Sequence, residues 1–225
     1  MKLSIIIPTY NEAENIPQLF HRIQTSLKKI DHEIIVVDDS SQDGTPHIAE
    51  KRGAKVLERP AKRGIITAFQ EGFKISTGEV IGLLDADLQH PPERLSYMLH
   101  MIEKGSDLVI ASRYVSGGGV EKWGLKRRLI SRVAILLSHF LLSKTRKVKD
   151  VTSGYFMARR EVIESISFSA HGWKVLPEIL VKGRYRKICE LPFTFKGREK
   201  GESKLEQSIM KQYWSQLTSL RHGTT

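Results

Sequence analysis

The stretch "VIGLLDADLQHPP", residues 80 to 92, is apolar at its start and then presents two carboxylates, an amide and a pair of prolines. A run that is apolar on both of its faces is what a strand covered on two sides requires, which points to a sheet sandwiched between helices. The polar residues follow at the carboxyl end of that strand, where open α/β sheets bind their ligands. Similar short runs recur: Leu3 to Pro8, Glu33 to Asp39, Lys55 to Arg59 and Asp107 to Arg113 join Val80 to Ala86 as predicted strands. Between them, "ENIPQLFHRIQTSLKKI" spaces Ile16, Leu19, Phe20, Ile23 and Leu27 as a helix does, and "SQDGTPHIAEKRG" carries turn signals and a short helix ending at Gly53. The alternation predicts a three-layer α/β domain with a mostly parallel central sheet.

The chain has 225 residues, a hydrophobic fraction of 40% and a charged fraction of 27%, ordinary for one folded domain. Thirty-six Lys and Arg against 25 Asp and Glu give a net charge of +11, which suits phosphate-rich ligands, nucleic acid or an anionic membrane. One cysteine, Cys189, rules out an intramolecular disulfide and fits a reducing compartment. The first strand is too short for a secretory leader, and no apolar run reaches the length of a membrane span, so a soluble or peripheral protein is expected.

In an extended segment alternate side chains share a face, which would aim Asp85, Asp87 and Gln89 at one point. Two carboxylates and an amide oxygen are hard ligands suited to Mg2+ or Mn2+, ions that protein carboxylates commonly share with substrate phosphates. Alone, Asp-x-Asp equally fits the cap of a helix beginning near Pro92. Asp38 and Asp39, at a neighbouring strand end, add acids to the same rim. A dinucleotide fold is disfavoured because "PTYNEAEN" (8–15) follows the first strand in place of a glycine-rich turn. His90, between Gln89 and two prolines, reads as a turn residue rather than a ligand, Cys189 as a buried filler, and Trp123, Trp173 and Trp214 as packing residues.

Six blocks in order, "SIIIPTYNEAENI", "IIVVDDSSQDGT", "GEVIGLLDADLQHPPE", "ASRYVSGGGVEKW", "DVTSGYFMARREV" and "REKGESKL", resemble the family 2 glycosyltransferases, and among them the dolichol-phosphate mannose synthases. The resemblance implies a GT-A fold and a metal-dependent inverting transfer of a hexose, in that group mannose from GDP-mannose, to polyprenyl or dolichyl phosphate. It implies that Pro8, Tyr10, Glu12, Val37 and Asp39 bound the base and ribose with Asp38 beside them, and that Asp85, Asp87 and Gln89 hold Mg2+ or Mn2+ on the diphosphate. Arg113, Arg127 and Ser131 would address the acceptor phosphate, and Arg198 with Lys204 would close over both phosphates. "GIITA" (64–68) departs from the family's Gly-Leu-Gly-Thr-Ala run by placing Ile66 at a glycine position, which leaves the donor open. A UDP-sugar donor of the glucose type, or a catalytically inactive nucleotide-sugar binder, stays in play; a nucleic-acid partner is opposed by the acidic rim and the lack of a reading motif.

The apolar "LISRVAILLSHFLL" (129–142), preceded by Lys126, Arg127 and Arg128, has the profile of either an interfacial or a core-facing helix. The expected organisation is a catalytic domain over residues 1–203, including that helix near 126–142, with a C-terminal amphipathic helix and tail over 204–225. The implied setting is the cytoplasmic face of a membrane. Relatives commonly carry spanning helices after the catalytic domain, so a peripheral form, a chain that recruits a membrane subunit and a piece of a longer protein are all open.

Overall fold

The computed structural model describes residues 1–61, 64–169, 172–197 and 207–223. Its central sheet has seven strands: β1 (Leu3–Thr9), β2 (His32–Asp38), β3 (Lys55–Glu58), β4 (Val80–Leu83), β5 (Leu108–Ser112), β7 (Phe156–Arg159) and β8 (Ile188–Pro192), in spatial order β3-β2-β1-β4-β7-β5-β8. All neighbours pair in parallel except β7, which lies antiparallel between β4 and β5. A two-stranded parallel ribbon, β6 (Gly119–Val120) with β9 (Thr194–Phe195), sits beyond the carboxyl end of β5.

The sheet is covered on both faces because its central strands are largely apolar on both of their sides. Ile5, Ile7 and Val36 face one core with Leu19, Phe20 and Ile23 of α1 (Ile16–Ser26) and with Leu95, Met98 and Ile102 of α4 (Arg94–Glu103). Ile6, Ile35 and Val37 face the other, with Phe69 of α3 (Ile65–Ile75) and Leu176, Ile179 and Leu180 of α7 (Val175–Lys182). Gly72 brings α3 close to β1, since a Cβ there would stand 2.7 Å from Ile6 Cγ2. α2 (Thr45–Glu50) packs beside β3. The expected fold class is correct: a GT-A-type α/β arrangement of three layers around a mostly parallel sheet.

The structure departs from the sequence reading at three places. Within residues 150–162, Phe156–Arg159 is a central strand absent from the predicted strands, followed by the short α6 (Arg160–Ile163). Four residues are too few for periodicity to show, and only the gap between β4 and β5 explains their burial. β4 ends at Leu83 rather than Ala86. Cys189, expected as buried filler, is half-buried in β8.

A third apolar cluster joins α5 (Leu125–Leu141) to α8 (Gln207–His222) through Ala134, Leu142, Tyr213, Leu217 and Leu220, with Ser138 Oγ hydrogen-bonded to Tyr213 Oη at 2.7 Å. A 3-10 turn, Ser143–Lys147, leads from α5 towards β7.

Candidate active site

The rim is built from loops at the carboxyl ends of β1, β2, β4 and β5. The first two are zipped together: Asn11 N donates to Ser41 Oγ (2.7 Å), Gln42 N to Asn11 Oδ1 (2.9 Å), Ala13 N to Asp43 Oδ2 (3.0 Å) and Glu12 N to Thr45 Oγ1 (2.9 Å). Asn11, Ser40, Leu88 and Lys122 adopt positive φ, all in segments around this rim. Non-glycine residues take that conformation at a cost, and it concentrates where loops serve a site.

Tyr10 is exposed at the edge of this loop pair, and Pro8 and Glu12 are half-buried beside it, Glu12 accepting from Asn15 Nδ2 at 2.6 Å. Two of the residues assigned to the base and ribose lie below the rim instead. Val37 is fully buried, its side chain under Gly72, so it offers no side-chain contact to a nucleotide. Asp38 is likewise fully buried and accepts from Thr9 Oγ1 (2.7 Å), Ser41 N (2.7 Å) and Ser41 Oγ (2.6 Å), which makes it the staple of the second loop. Asp39 is ion-paired with Arg59, which is itself buried and reaches Thr67 Oγ1 (2.7 Å) and Gly64 O (3.1 Å) at the start of α3. That start is the departure noted in "GIITA": Ile66 is buried, and its Cδ1 would lie 2.5 Å from a Cβ on Gly172, so an isoleucine here is matched by a glycine there. Lys62 and Arg63 lie outside the described residues.

Asp85, Asp87 and Gln89 lie on a turn, not along an extended strand. Beyond β4 the chain leaves the extended conformation, with Leu88 at φ 60°. Gln89 N donates to Asp87 Oδ1 (3.2 Å), and Gln89 Nε2 to Lys196 O (2.9 Å), so the amide oxygen is the end that a cation would take. Asp85 is about one-third exposed and comes within 3.4 Å of His90 Nδ1. His90 is caged by Tyr155, Phe193 and Phe195, with ring centroids at 5.3, 5.6 and 5.2 Å. Burial pulls its imidazole down to about 3, against an upward pull from Asp87, so the ring is neutral near pH 7 and its approach to Asp85 is not an ion pair. Gly154 makes room for this: a Cβ there would stand 3.2 Å from Asp85 Oδ2, 3.5 Å from His90 Cε1 and 3.6 Å from Lys174 Nζ.

Among the described residues no three His, Cys, Asp or Glu side chains cluster as a metal centre. Two carboxylates and an amide oxygen fit Mg2+ or Mn2+ if phosphate oxygens and water complete the shell, which is how such ions are commonly held.

Opposite the acids stands a cationic group. Arg113 is buried against Asp150, which accepts from Arg113 N (2.9 Å), Nε (2.8 Å) and Nη2 (2.7 Å), while Thr152 Oγ1 accepts from Nη2 at 2.9 Å. Burial would lower the guanidinium pKa, but the charge of Asp150 and its hydrogen bonds raise it overall. Arg113 and Arg127 lie over the same Trp123 ring, at 5.3 and 4.2 Å from its centroid, and over Phe195 at 5.8 and 5.7 Å. Ser131, one turn on from Arg127, accepts from Tyr114 Oη at 2.8 Å. The structure thus brings Arg113, Arg127 and Ser131 together, with Arg113 turned towards Asp150 rather than standing open. Arg198 and Lys204 lie outside the described residues.

Asp150 and Lys174 were missed by sequence reading. Asp150 opens the block "DVTSGYFMARREV", and an acid at the head of a turn gave the only signal; nothing in "GWK" separates Lys174 from the other lysines. Trp123 and Trp173 pack inside as expected, Trp173 edge-on to Tyr213 at 5.6 Å, whereas Trp214 is 49% exposed.

A mostly parallel sheet whose carboxyl-end loops carry aspartates and arginines is a fold of the GT-A class. The model of "Glycosyl transferase family 2" matches residues 4–167, and the chain belongs to that family. It is 46% identical over 217 residues to a dolichol-phosphate mannosyltransferase of Pyrococcus furiosus, covering 95% of this chain and 62% of that protein, so it spans less than two thirds of that relative's length. A polyprenol monophosphomannose synthase of Mycolicibacterium smegmatis is 36% identical, over 92% of this chain and 82% of the relative. Among solved structures, glucosyl-3-phosphoglycerate synthase from Mycobacterium tuberculosis with phosphoglyceric acid aligns at a TM-score of 0.76 and 19% identity, over 98% of this chain and 80% of that one. Mannosyl-3-phosphoglycerate synthase from Rubrobacter xylanophilus aligns at 0.75 and 20%, over 98% and 74%. These two likenesses establish the fold.

Proposed function

We propose that the protein transfers a hexose, mannose from GDP-mannose, to the phosphate of a polyprenyl or dolichyl lipid at a membrane surface, with inversion at the anomeric carbon. The observation that carries this is that Arg113, within electrostatic reach of Asp85, shares one Trp123 face with Arg127 at the rim. The mannosyltransferase relatives support the choice of sugar and acceptor.

A lipid phosphate is already anionic near neutral pH and attacks without a general base, which fits a site whose histidine is neutral and caged. The difficulty is charge: an anionic nucleophile must approach a diphosphate that gains charge as it leaves. Arg113 and Arg127 hold the acceptor phosphate in line, and Asp150 fixes the direction of Arg113. Asp85, Asp87 and Gln89 hold the cation, which when bound neutralises the leaving diphosphate. Arg198 and Lys204 are assigned to the donor and acceptor phosphates on the family resemblance. Positioning and electrostatics then account for the catalysis, with no covalent intermediate on the protein.

The acceptor's location is supported by α5. Leu125, Leu129, Val133, Leu136 and Phe140 recur every three or four residues and are 85, 63, 39, 65 and 75% exposed, an apolar stripe flanked by Lys126, Arg128 and Arg132. The opposite face, with Ala134 and Ser138, packs on α8. Of the two expectations for this helix, the interfacial one agrees with the exposed stripe. Among the described residues no helix is long and apolar enough to cross a membrane.

The test is transfer from a panel of nucleotide sugars, GDP-mannose and UDP-glucose included, to a short polyprenyl phosphate with Mg2+, Mn2+ or chelator. Mannosyl transfer that requires both the cation and the lipid phosphate is expected. Donor turnover that ignores the lipid phosphate overturns the acceptor assignment.

A further inference from the structure

Lys174 precedes α7 and points its ammonium at the floor of the site. Its Nζ lies 3.6 Å from the position of a Gly154 Cβ, a point that Asp85 Oδ2 approaches to 3.2 Å. Among the described residues Nζ makes no hydrogen bond or ion pair; its one contact of note is the ring of the adjacent Trp173, at 4.6 Å from the centroid. Its backbone, by contrast, is clamped. Gln216 of α8 is 1% exposed; its Oε1 accepts from Trp173 N (3.1 Å) and Lys174 N (3.3 Å), and its Nε2 donates to Lys174 O (2.7 Å). Gly172 permits the clamp, since a Cβ there would stand 2.7 Å from Gln216 Nε2.

Half-exposed, fixed by its backbone and with no hydrogen bond among the described residues, this ammonium is open to a ligand. Burial lowers its pKa, while the charges of Asp85, Asp150 and Asp87 oppose that and Arg113 reinforces it. The floor position beside Asp85 is where a diphosphate sharing a cation with that carboxylate would come down.

We propose that Lys174 is a donor-binding residue, its Nζ donating to an oxygen of the bound nucleotide sugar, and that Gln216 of the C-terminal helix presets it. The inference rests on the donor reading above and adds a residue to it. The oxygen belongs either to a phosphoryl group or to a sugar hydroxyl, chemistry that the two ligands below separate. It also ties α8 to the chemistry: the helix that packs against α5 on one side holds the lysine on the other.

The experiment is calorimetric binding of GDP, GDP-mannose and UDP-glucose in Mn2+ to the wild type, Lys174→Met, Lys174→Arg and Gln216→Leu, with thermal melts of each. Loss of a charge-assisted hydrogen bond weakens binding by roughly 10- to 100-fold in Lys174→Met. If GDP weakens as much as GDP-mannose the partner is a phosphoryl oxygen; if only the sugar nucleotide weakens it is a hydroxyl. Gln216→Leu weakens the same ligands by less, and Lys174→Arg recovers part of the loss. Lys174→Met melts close to the wild type, because its ammonium makes no hydrogen bond or ion pair among the described residues; a lysine with a merely structural role would lower the melt and spare the binding. Nucleotide affinities within twofold of the wild type in Lys174→Met overturn the inference. A wild type that binds no nucleotide sinks the donor reading itself, a separate outcome.

Discussion

The Arg113–Asp150 pair offers the sharpest test of how this site is held. Asp150 is fully buried and Arg113 nearly so, and three donors of Arg113 converge on one carboxylate, with Thr152 alongside. Asp150→Asn keeps the shape, removes the charge and leaves a guanidinium buried against Trp123 and Phe195. Breaking one partner of a buried ion pair costs about 3–5 kcal/mol. Against a total stability of about 5–15 kcal/mol, that loss is severe without being certain unfolding. For a chain of this size it corresponds to a fall in melting temperature of roughly 10 °C. Urea denaturation of the wild type, Asp150→Asn, Arg113→Met and the double variant Arg113→Met/Asp150→Leu measures it. Either single change is expected to destabilise, while the double change recovers most of the stability, because two apolar side chains replace the pair without leaving a charge behind. Lipid-phosphate transfer is expected to be lost in all three. Full transfer in the restored double variant would refute the assignment of Arg113 to the acceptor phosphate; a loss below about 1 kcal/mol in Asp150→Asn would refute the view of the pair as a buried, mutually dependent unit.

Asp87→Ala should lower metal-dependent transfer by roughly 100-fold or more with the melting temperature almost unchanged, since it removes charge from a half-exposed rim and not from the core. Gly154→Ala should impair transfer through the 3.2 Å approach of the new methyl to Asp85 Oδ2, as read by steady-state kinetics. Replacing Leu136 and Phe140 together by Ser should weaken sedimentation with anionic vesicles by roughly 30- to 1000-fold, at about 1–2 kcal/mol per inserted side chain, while transfer to a water-soluble short-chain acceptor persists. Glu33 is held at about 2, below its ordinary 4.5: burial would raise it, but Lys55, Ser4 and Thr77 outweigh that. Its folded pKa is depressed, so its contribution to stability is complete above pH 4.5 and is lost as pH falls towards 2; equilibrium denaturation of Glu33→Gln should show a shallower acid loss over that window.

How much of this was legible beforehand follows from what kind of interaction decides each feature. The strands were readable because a doubly covered strand must be apolar at every position, and their carboxyl ends marked the rim before any coordinate was known. The expectation that Asp85, Asp87 and Gln89 share one face rested on an extended segment, whereas the chain turns at Leu88. The distinction between residues on the rim and residues beneath it was not legible, because Val37 and Asp39 are neighbours of Asp38 in a run whose sequence does not say which side chain faces which layer.

The sequence by itself determined much of the local order: the first five strands, that acids follow β4, and that a basic, apolar helix follows Trp123. These depend on periodicity and composition, which neighbouring residues carry. Only the tertiary structure decided that β7 enters the sheet between β4 and β5, that Asp150 occupies Arg113, and that Gln216 holds Lys174 from 42 residues away. Those depend on which surfaces remain to be buried and which charges remain to be paired after the local elements have formed, and such long-range demands leave no mark in any short stretch of chain.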